Sequence, residues 1–203
     1  MRRLLACAAA LLLLPACSPG PHMVVVFAAS SLNGSFTQLG AEFEASHPGV
    51  RVMFSFDGSA TLVDQLAQGA PADVFAAADR DTMERASSAG TMTPTPARFA
   101  SNELTLIVPV GNPSGITGLD ASLEGTKLVV CADGVPCGSA TAKLANHLGV
   151  TLHPVSEETK VTDVRAKVET GQADAGIVYR TDAMASPSKL TAIPIAGAGQ
   201  AAN

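Results

Sequence analysis

The chain alternates between short apolar runs and longer segments in which apolar residues recur every three or four positions. The first pattern is typical of buried strands, and the second of helices that cover a sheet. In the N-terminal half the patterns predict strand 24–27, helix 33–46, strand 50–56, helix 60–68, strand 73–76, helix 79–89 and strand 104–108. In the remainder they predict strand 127–131, helices 139–148 and 162–169, strand 174–179, a short helix at 181–185 and a strand at 190–195.

The order of these elements predicts the fold. Strands separated by helices of this length form parallel sheets with crossover helices, so we expect an α/β fold with parallel-rich sheets. The pattern divides into a first lobe at 24–100 and a second lobe at 101–195, with a crossing strand within 101–109. Residues 18–23 form a short tether before the first lobe, and 196–203 an Ala/Gly-rich tail.

The N-terminus has the features of an export signal. Arg2 and Arg3 precede an apolar run that ends in Leu-Pro-Ala-Cys at Cys17, which is similar to a bacterial lipobox. We expect 1–17 to be a lipoprotein signal peptide, with Cys17 lipidated and the protein anchored at the outer face of the bacterial cytoplasmic membrane. Secretion to the periplasm with ordinary cleavage is the alternative, because Pro15 is unusual at its position. The apolar run is too short to span a bilayer.

Composition and charge exclude one class of partner. The chain has 203 residues with 13 basic and 18 acidic side chains, a formal net charge of −5, and no basic run or stripe. Nucleic acid is bound through clustered Lys and Arg and is therefore not expected as a partner. An acidic protein does not attract anions by its overall field, so an anion site in this chain must rely on local dipoles.

Two of the four cysteines belong to the folded part of the chain. Cys7 is lost with the signal, and Cys17 is the lipidation candidate. Cys131 and Cys137 flank a Gly/Pro turn in a protein exported to a compartment that permits disulfides, so we expect a bridge between them. A metal or redox site is the alternative, although two thiols without a nearby His make a poor zinc site and the spacing is not Cys-x-x-Cys.

The first strand runs directly into Ser30 and Ser31, and a helical pattern begins at once behind them. This arrangement places hydroxyls and unpaired backbone N–H groups at the end of a strand, where they are suited to holding an anion. A helix N-cap is the usual role of a lone serine in this position, but Ser59 repeats the pattern after the second strand. We expect Ser31 to contact a ligand and Ser30 to pack.

Four segments in order carry a resemblance to a known family. They are VFAASSL at 26–32, FDGS at 56–59, GAPADVF at 69–75, and TDVR at 162–165 together with GQADAGIVY at 171–179. The set resembles the periplasmic molybdate-binding proteins of bacterial molybdate ABC transporters. The resemblance implies a two-lobed type II periplasmic-binding-protein fold, a tetrahedral oxyanion held between the lobes, and a transporter permease as the protein partner.

The resemblance also implies five molybdate-binding residues. Ser31 and Ser59 match the hydroxyl donors of the first lobe, and Tyr179 matches a phenolic donor of the second lobe. Cys137 and Val164 match positions that supply only a backbone N–H group.

The chemistry of the ligand agrees with these residue types. A molybdate dianion only accepts hydrogen bonds, and Ser, Tyr and backbone N–H groups donate them. Converging helix N-termini offset a dianion without Arg or Lys. Such a site rejects a protonated oxyanion but not sulfate, so a preference for molybdate must rest on pocket size. We expect tungstate to bind alongside molybdate, and no cofactor and no metal other than the molybdenum of the ligand. Sulfate or another oxyanion is the alternative ligand.

Two features depart from the family pattern. Asp57 lies in the first-lobe binding turn, where the family has small neutral residues, and we expect its carboxylate to turn outward or cap a helix. The sequence ends at Asn203, around the last strand of the second lobe, whereas family members continue back to the first lobe. We therefore expect this C-terminal return to be missing, and a truncated protein that no longer binds is a further alternative.

No catalytic motif accompanies these features. Neither Gly-x-Ser-x-Gly nor His-Glu-x-x-His occurs, and no histidine has an evident nucleophile partner. We therefore expect a monomeric binding protein that contacts the membrane only through its lipid, rather than an exported enzyme.

Overall fold

The computed structural model of the chain describes residues 20–92 and 95–201. The predicted signal peptide with Cys17, the first two residues of the tether and the last two residues of the tail lie outside the described residues. No helix in the two described ranges is long and apolar enough to cross a membrane.

The first lobe contains a three-stranded parallel sheet in the order β2-β1-β3. Its strands are β1 (His22–Ala29), β2 (Val50–Asp57) and β3 (Val74–Ala76). A 3₁₀ turn at Ser30–Leu32 leads from β1 into α1 (Asn33–Ser46), while α2 (Ser59–Ala67) follows β2 and α3 (Arg80–Ser88) follows β3. Parallel neighbours need crossover connections, so each strand of this sheet ends at the edge where the next helix begins.

The second lobe contains a five-stranded mixed sheet in the order β6-β5-β7-β4-β8. Its strands are β4 (Leu104–Pro109), β5 (Leu128–Cys131), β6 (Ser156–Glu158), β7 (Ala175–Tyr179) and β8 (Leu190–Pro194). Its helices are α4 (Pro136–Leu148), α5 (Val161–Glu169) and α6 (Arg180–Met184), with short 3₁₀ turns at Ala121–Leu123 and Ala198–Ala201. The strands β6, β5 and β7 are parallel, and β4 runs antiparallel to β7 and β8. The predicted α/β fold with parallel-rich sheets is confirmed.

The larger hydrophobic core lies in the second lobe. Leu106 of β4, Val129 of β5 and Ile177 of β7 belong to one continuous cluster and are almost completely buried. In the first lobe the side chains of β1 alternate between two smaller clusters, with Phe27 on one face and Val26 on the other. Each lobe therefore has a hydrophobic core of its own, which holds its strands in place.

Most observed boundaries lie within one or two residues of the predicted ones, and three differences have a clear physical reason. The strand β1 begins at His22 rather than at 24, because His22 and Met23 pair with β2, so part of the predicted tether is strand. Helix α4 begins at Pro136 rather than at 139, since proline is favoured in the first turn of a helix. Strand β6 was not predicted, because its three residues are polar and only pairing with β5 defines it.

A disulfide joins the two lobe-2 cysteines. Cys131 ends β5 and Cys137 lies in the first turn of α4, with their Cα atoms 5.6 Å apart. The bridge therefore ties the start of a helix to the end of the strand that precedes it.

One acidic side chain among the described residues is almost completely buried. Asp182 in α6 is 2% exposed. Burial raises the pKa of this carboxyl to about 6. The positive charge of Arg165 and a hydrogen bond from the Tyr179 backbone N–H both lower the pKa, but less than burial raises it. The ionised form that predominates at neutral pH consequently costs folding free energy.

We predict that Cys131→Ala lowers the free energy of unfolding by about 2 kcal/mol, because the bridge restricts the unfolded chain. Denaturant unfolding of the oxidised proteins measures the difference. As a control, reductant is expected to lower the stability of the wild type to that of the variant, to add two hydrogens to its mass, and to leave the variant unchanged. Equal stability of the oxidised wild type and the variant would contradict a closed bridge.

We predict that Asp182→Asn increases stability at neutral pH. The pKa of Asp182 in the folded state lies above its ordinary value of 3.8. The stability that the protonated carboxyl contributes is therefore fully present below pH 3.8 and is lost as the pH rises through about 6. The variant should exceed the wild type by on the order of 2 kcal/mol near pH 7.5, and the difference should shrink as the pH falls towards 4. Denaturant unfolding across this pH range tests it; a variant that is less stable at pH 7.5 would show that the charge is needed for folding.

Candidate functional site

A narrow cavity of about 20 Å³ lies where the two lobes meet. From the first lobe it is lined by Ala29, Ser30, Ser31, Gly58, Ser59 and Ala78. From the second lobe it is lined by Pro136, Cys137, Thr159, Lys160, Val161 and Tyr179. In this arrangement of the lobes the cavity is suited to a small ion rather than to an extended organic molecule. We refer to it below as the cleft.

A larger depression of about 520 Å³ lies elsewhere, between α2 and α3. It is a wide-open surface groove, and three carboxylates line it, those of Asp64, Asp81 and Glu84. Because acceptor groups of this kind repel an anion, we do not assign the groove to the ligand that the sequence predicts.

The cleft is built from strand ends and helix starts. In the first sheet Ala29 of β1 is paired with Asp57 of β2, so that both strands end at the same level. The chain continues from there into Ser30 on one side and into Gly58, the N-cap residue of α2, on the other. In the second lobe α4 and α5 begin at the cleft, and β7 ends there with Tyr179. The first N–H groups of a helix have no partner within it, so such an edge carries several free donors.

The hydroxyl groups predicted for the site come together in the cleft. Ser59 is buried, and its Oγ accepts a hydrogen bond of 3.0 Å from the backbone N–H of Ala78. A hydroxyl that accepts in this way can still donate its own proton. Ser31 is half-buried and Ser30 is more deeply buried, and both line the cleft. Tyr179 reaches the cleft from the second lobe and is itself buried.

Cys137 lines the cleft as the second residue of α4. Its sulfur is taken up by the disulfide, so the backbone N–H is the group that it can offer to a ligand. The following residue, Gly138, lies directly against the preceding turn: a Cβ built there would fall 1.8 Å from the carbonyl oxygen of Ala132. A side chain at 138 would therefore displace the helix start, which explains the glycine.

The predicted role of Val164 is wrong by one turn of helix. Helix α5 begins at Val161 with Lys160 as its N-cap residue, so the N–H of Val164 lies beyond the unpaired first turn. The Val164 side chain is buried in the second-lobe core, in contact with Gly176, and does not line the cleft. The residues of this helix start that line the cleft are Lys160 and Val161.

The carboxylate of Asp57 does not line the cleft. Its Oδ1 accepts a 2.8 Å hydrogen bond from the backbone N–H of Gly58, and the same oxygen lies 3.4 Å from the ammonium of Lys160. The acidic residue that departs from the family pattern is thus held just before α2, although the helix has no side-chain capping hydrogen bond. No local pattern in the sequence indicates Lys160, because only the packing of the two lobes brings it to Asp57.

The two lobes approach each other closely beside this ion pair. A Cβ built on Gly58 would lie 2.5 Å from the backbone carbonyl oxygen of Thr159. Gly58 has φ −58° and ψ 134°, which any residue can adopt. The glycine is therefore required by the close approach of the second lobe and not by its own backbone conformation.

Charges around the cleft favour a small anion. Among the described residues no carboxylate lines it, and the helix starts of α2, α4 and α5 all meet at it. Each helix N-terminus carries roughly half a positive charge, so converging starts compensate a negative ligand. Another acidic residue close by, Glu158, is engaged elsewhere: burial alone would raise its pKa, but hydrogen bonds from Lys167 and Ser156 outweigh burial and lower it. Within the described residues, no group of three or more His, Cys, Asp or Glu side chains could hold a metal ion.

Comparison with known proteins identifies a family and a sequence relative for this chain. The family of bacterial extracellular solute-binding proteins matches residues 24–202. The molybdate-binding protein ModA of Mycobacterium tuberculosis is 48% identical over 185 residues, which cover 88% of this chain and 71% of that protein.

Two solved structures resemble the fold. The periplasmic molybdate-binding protein of Azotobacter vinelandii has a TM-score of 0.65 at 24% identity, covering 77% of this chain and 71% of that chain. The sulfate-binding protein SubI of Mycobacterium tuberculosis has a TM-score of 0.66 at 22% identity, covering 86% and 71%. At these identities the two structures establish the two-lobed fold and nothing about the ligand. From the family match and the close sequence relative, we conclude that the chain belongs to the bacterial extracellular solute-binding proteins.

Proposed function

We propose that this protein captures molybdate, and tungstate with it, outside the cytoplasm for an ABC importer. The observation that carries the proposal is the composition of the cleft. It combines hydroxyls and helix starts from both lobes, and no carboxylate lines it within residues 20–92 and 95–201. Its five proposed donors are the side chains of Ser31, Ser59 and Tyr179 and the backbone N–H groups of Cys137 and Val161. Val161 replaces Val164 in the set that the sequence implied.

The donor set matches the protonation state of the ligand. Molybdate is fully deprotonated at neutral pH and needs donors on every side, which hydroxyl and N–H groups supply. A protonated oxyanion such as hydrogen phosphate would bring a donor, to which the described side chains that line the cleft offer only hydroxyl oxygens and no carboxylate. Sulfate satisfies the same rule, so the size of the closed cleft must separate it from molybdate. Close identity to a molybdate-binding relative supports molybdate over sulfate.

The anchor and the state of the protein are part of the proposal. We propose that a lipid on Cys17 holds the mature protein at the outer face of the cytoplasmic membrane, as its lipobox-like sequence suggests. The protein acts as a monomer, because one chain supplies donors from both sides of the cleft. Capture followed by delivery to a permease requires no chemical step, in agreement with a family of binding proteins rather than enzymes.

We predict that molybdate and tungstate, but not sulfate, stabilise the purified mature protein. A ligand at a hundred times its Kd adds about 2.7 kcal/mol to the free energy of unfolding, which in a domain of this size raises the melting temperature by roughly 5–10 °C. Ser31→Ala combined with Ser59→Ala should abolish the shift, because the first lobe then loses both of its proposed hydroxyl donors. The matched control is Ser46→Ala with Ser87→Ala, which removes two helix serines of the same lobe outside the cleft.

The outcomes separate the candidate functions. A shift with sulfate alone would assign the protein to sulfate, and no shift with any of the three anions would identify a form that no longer binds. A full molybdate shift in the Ser31/Ser59 double variant would show that the site lies elsewhere.

We predict that Gly58→Ala weakens molybdate binding at least about tenfold while the unliganded protein keeps its stability. The new Cβ would meet the Thr159 carbonyl, so the lobes must stay apart by an ångström or more, whereas the backbone at 58 accepts alanine. Isothermal titration with molybdate and thermal unfolding without it measure the two quantities. Gly34→Ala is the control, because a Cβ at 34 meets nothing within 4 Å. Unchanged affinity in Gly58→Ala would show that binding does not need this closed contact.

A further inference from the structure

An ion pair crosses between the lobes at the rim of the cleft. Lys160 Nζ of the second lobe lies 3.4 Å from Asp57 Oδ1 of the first lobe, and about a third of each side chain is exposed. Lys160 lines the cleft, and Asp57 directly precedes Gly58, which also lines it. Both charges are therefore neighbours of the place where an anion would bind.

The position of the lysine is unfavourable without a negative charge nearby. Lys160 is the N-cap residue of α5, and its side chain makes no capping hydrogen bond. A cation at a helix N-terminus lies at the positive end of the helix dipole, where anions are favoured and cations are not. Asp57, in contrast, lies at the favourable end of α2 and accepts the N–H of Gly58.

The two charges act on a bound anion in opposite directions. An unpaired carboxylate at 57 would repel an anion in the cleft, and the ammonium of Lys160 both offsets that repulsion and attracts the anion. These effects scale with ligand charge, so they are twice as strong for a dianion as for a monoanion. Direct attraction within a partly exposed ion pair is weak by comparison.

We propose that Lys160 is a specificity-determining residue of the cleft, whose ammonium offsets Asp57 and so selects dianions over monoanions of the same shape. The inference rests on the proposed function, since it concerns the same site. Shape alone treats two tetrahedral oxyanions alike; the charge of Lys160 at the rim, added to that of the helix starts, distinguishes them.

A simpler role for the pair would be a tie between the lobes. In that case removing either partner would weaken binding equally, the double variant would resemble each single variant, and the charge of the ligand would not matter. Charge selection by Lys160 predicts a different set of affinities for the dianion. Removing Lys160 alone weakens binding, removing Asp57 alone strengthens it, and removing both leaves the affinity nearly unchanged.

The test uses molybdate, a dianion, and perrhenate, a monoanion of the same tetrahedral shape, in isothermal titrations of the full mature protein. Lys160→Met should weaken molybdate binding about tenfold and perrhenate about threefold, since the effect scales with charge. Asp57→Asn should tighten molybdate binding severalfold, and the double variant should lie within about threefold of the wild type. Lys160→Arg, which keeps the charge, should retain the molybdate preference.

A second inter-lobe ion pair provides the matched control. Lys143 Nζ of α4 lies 3.5 Å from Asp81 Oδ2 of α3, both side chains are largely exposed, and neither residue lines the cleft. Lys143→Met removes the same charge from the same lobe and should change neither affinity by more than about twofold.

The outcomes keep the two proposals apart. Suppose that the wild type binds molybdate. If Lys160→Met then leaves the ratio of molybdate affinity to perrhenate affinity unchanged, or if Asp57→Asn weakens molybdate binding, the role of Lys160 is refuted and the proposed function stands. If the wild type binds sulfate but not molybdate, the proposed function fails. The sulfate affinities of the same variants then decide the role of Lys160. If neither the wild type nor Asp57→Asn binds any of these anions, both proposals are refuted.

Discussion

The common direction of the strands that end at the cleft is the constraint on which the rest of the structure depends. In the first sheet β1 and β2 run parallel and end at one level, with Ala29 opposite Asp57. In the second sheet β5 and β7 run parallel as well. Since parallel strands share one carboxyl edge, the helices that follow them begin side by side, and their unpaired N–H groups meet at one place. Small movements of a single strand end would remove a donor from the set.

For the proposed function, an acidic protein has to keep its own carboxylates away from the cleft. Asp57 is held by the Gly58 N–H and by Lys160, and Glu158 by Lys167 and Ser156. Asp182 is buried beside the Tyr179 backbone with its pKa raised to about 6. Ionisable groups in unfavourable positions cluster at functional sites, where the arrangement of the site takes precedence over stability. The cleft is thus lined by residues that carry donor groups, while the neighbouring carboxylates of Asp57 and Glu158 are engaged elsewhere.

Particular residues show how far the sequence could predict the site. Ser31 and Ser59 follow strands directly, and a strand-to-helix junction has a local signature that a single sequence contains. Val164 was implied by the resemblance alone. The predicted helix start at 162 lies within one residue of the observed start at Val161, so the helical pattern itself places the N–H of Val164 at the end of the unpaired first turn or beyond it. The strand β6 has three polar residues and exists through its pairing with β5, so no hydrophobic pattern could reveal it.

By itself, the sequence determined the alternation of strands and helices, the division into two lobes and the residue types proposed as donors, because periodicity and turn residues act over a few neighbouring positions. Tertiary structure alone decided which residues of the two lobes line one cleft. The approach of Gly58 to Thr159 and the pairing of Asp57 with Lys160 depend on how two separately packed lobes meet, and no local pattern contains that distance. Local sequence patterns thus indicate the residues proposed to bind an anion. The pairing of charges at the rim of the cleft arises only when the lobes come together.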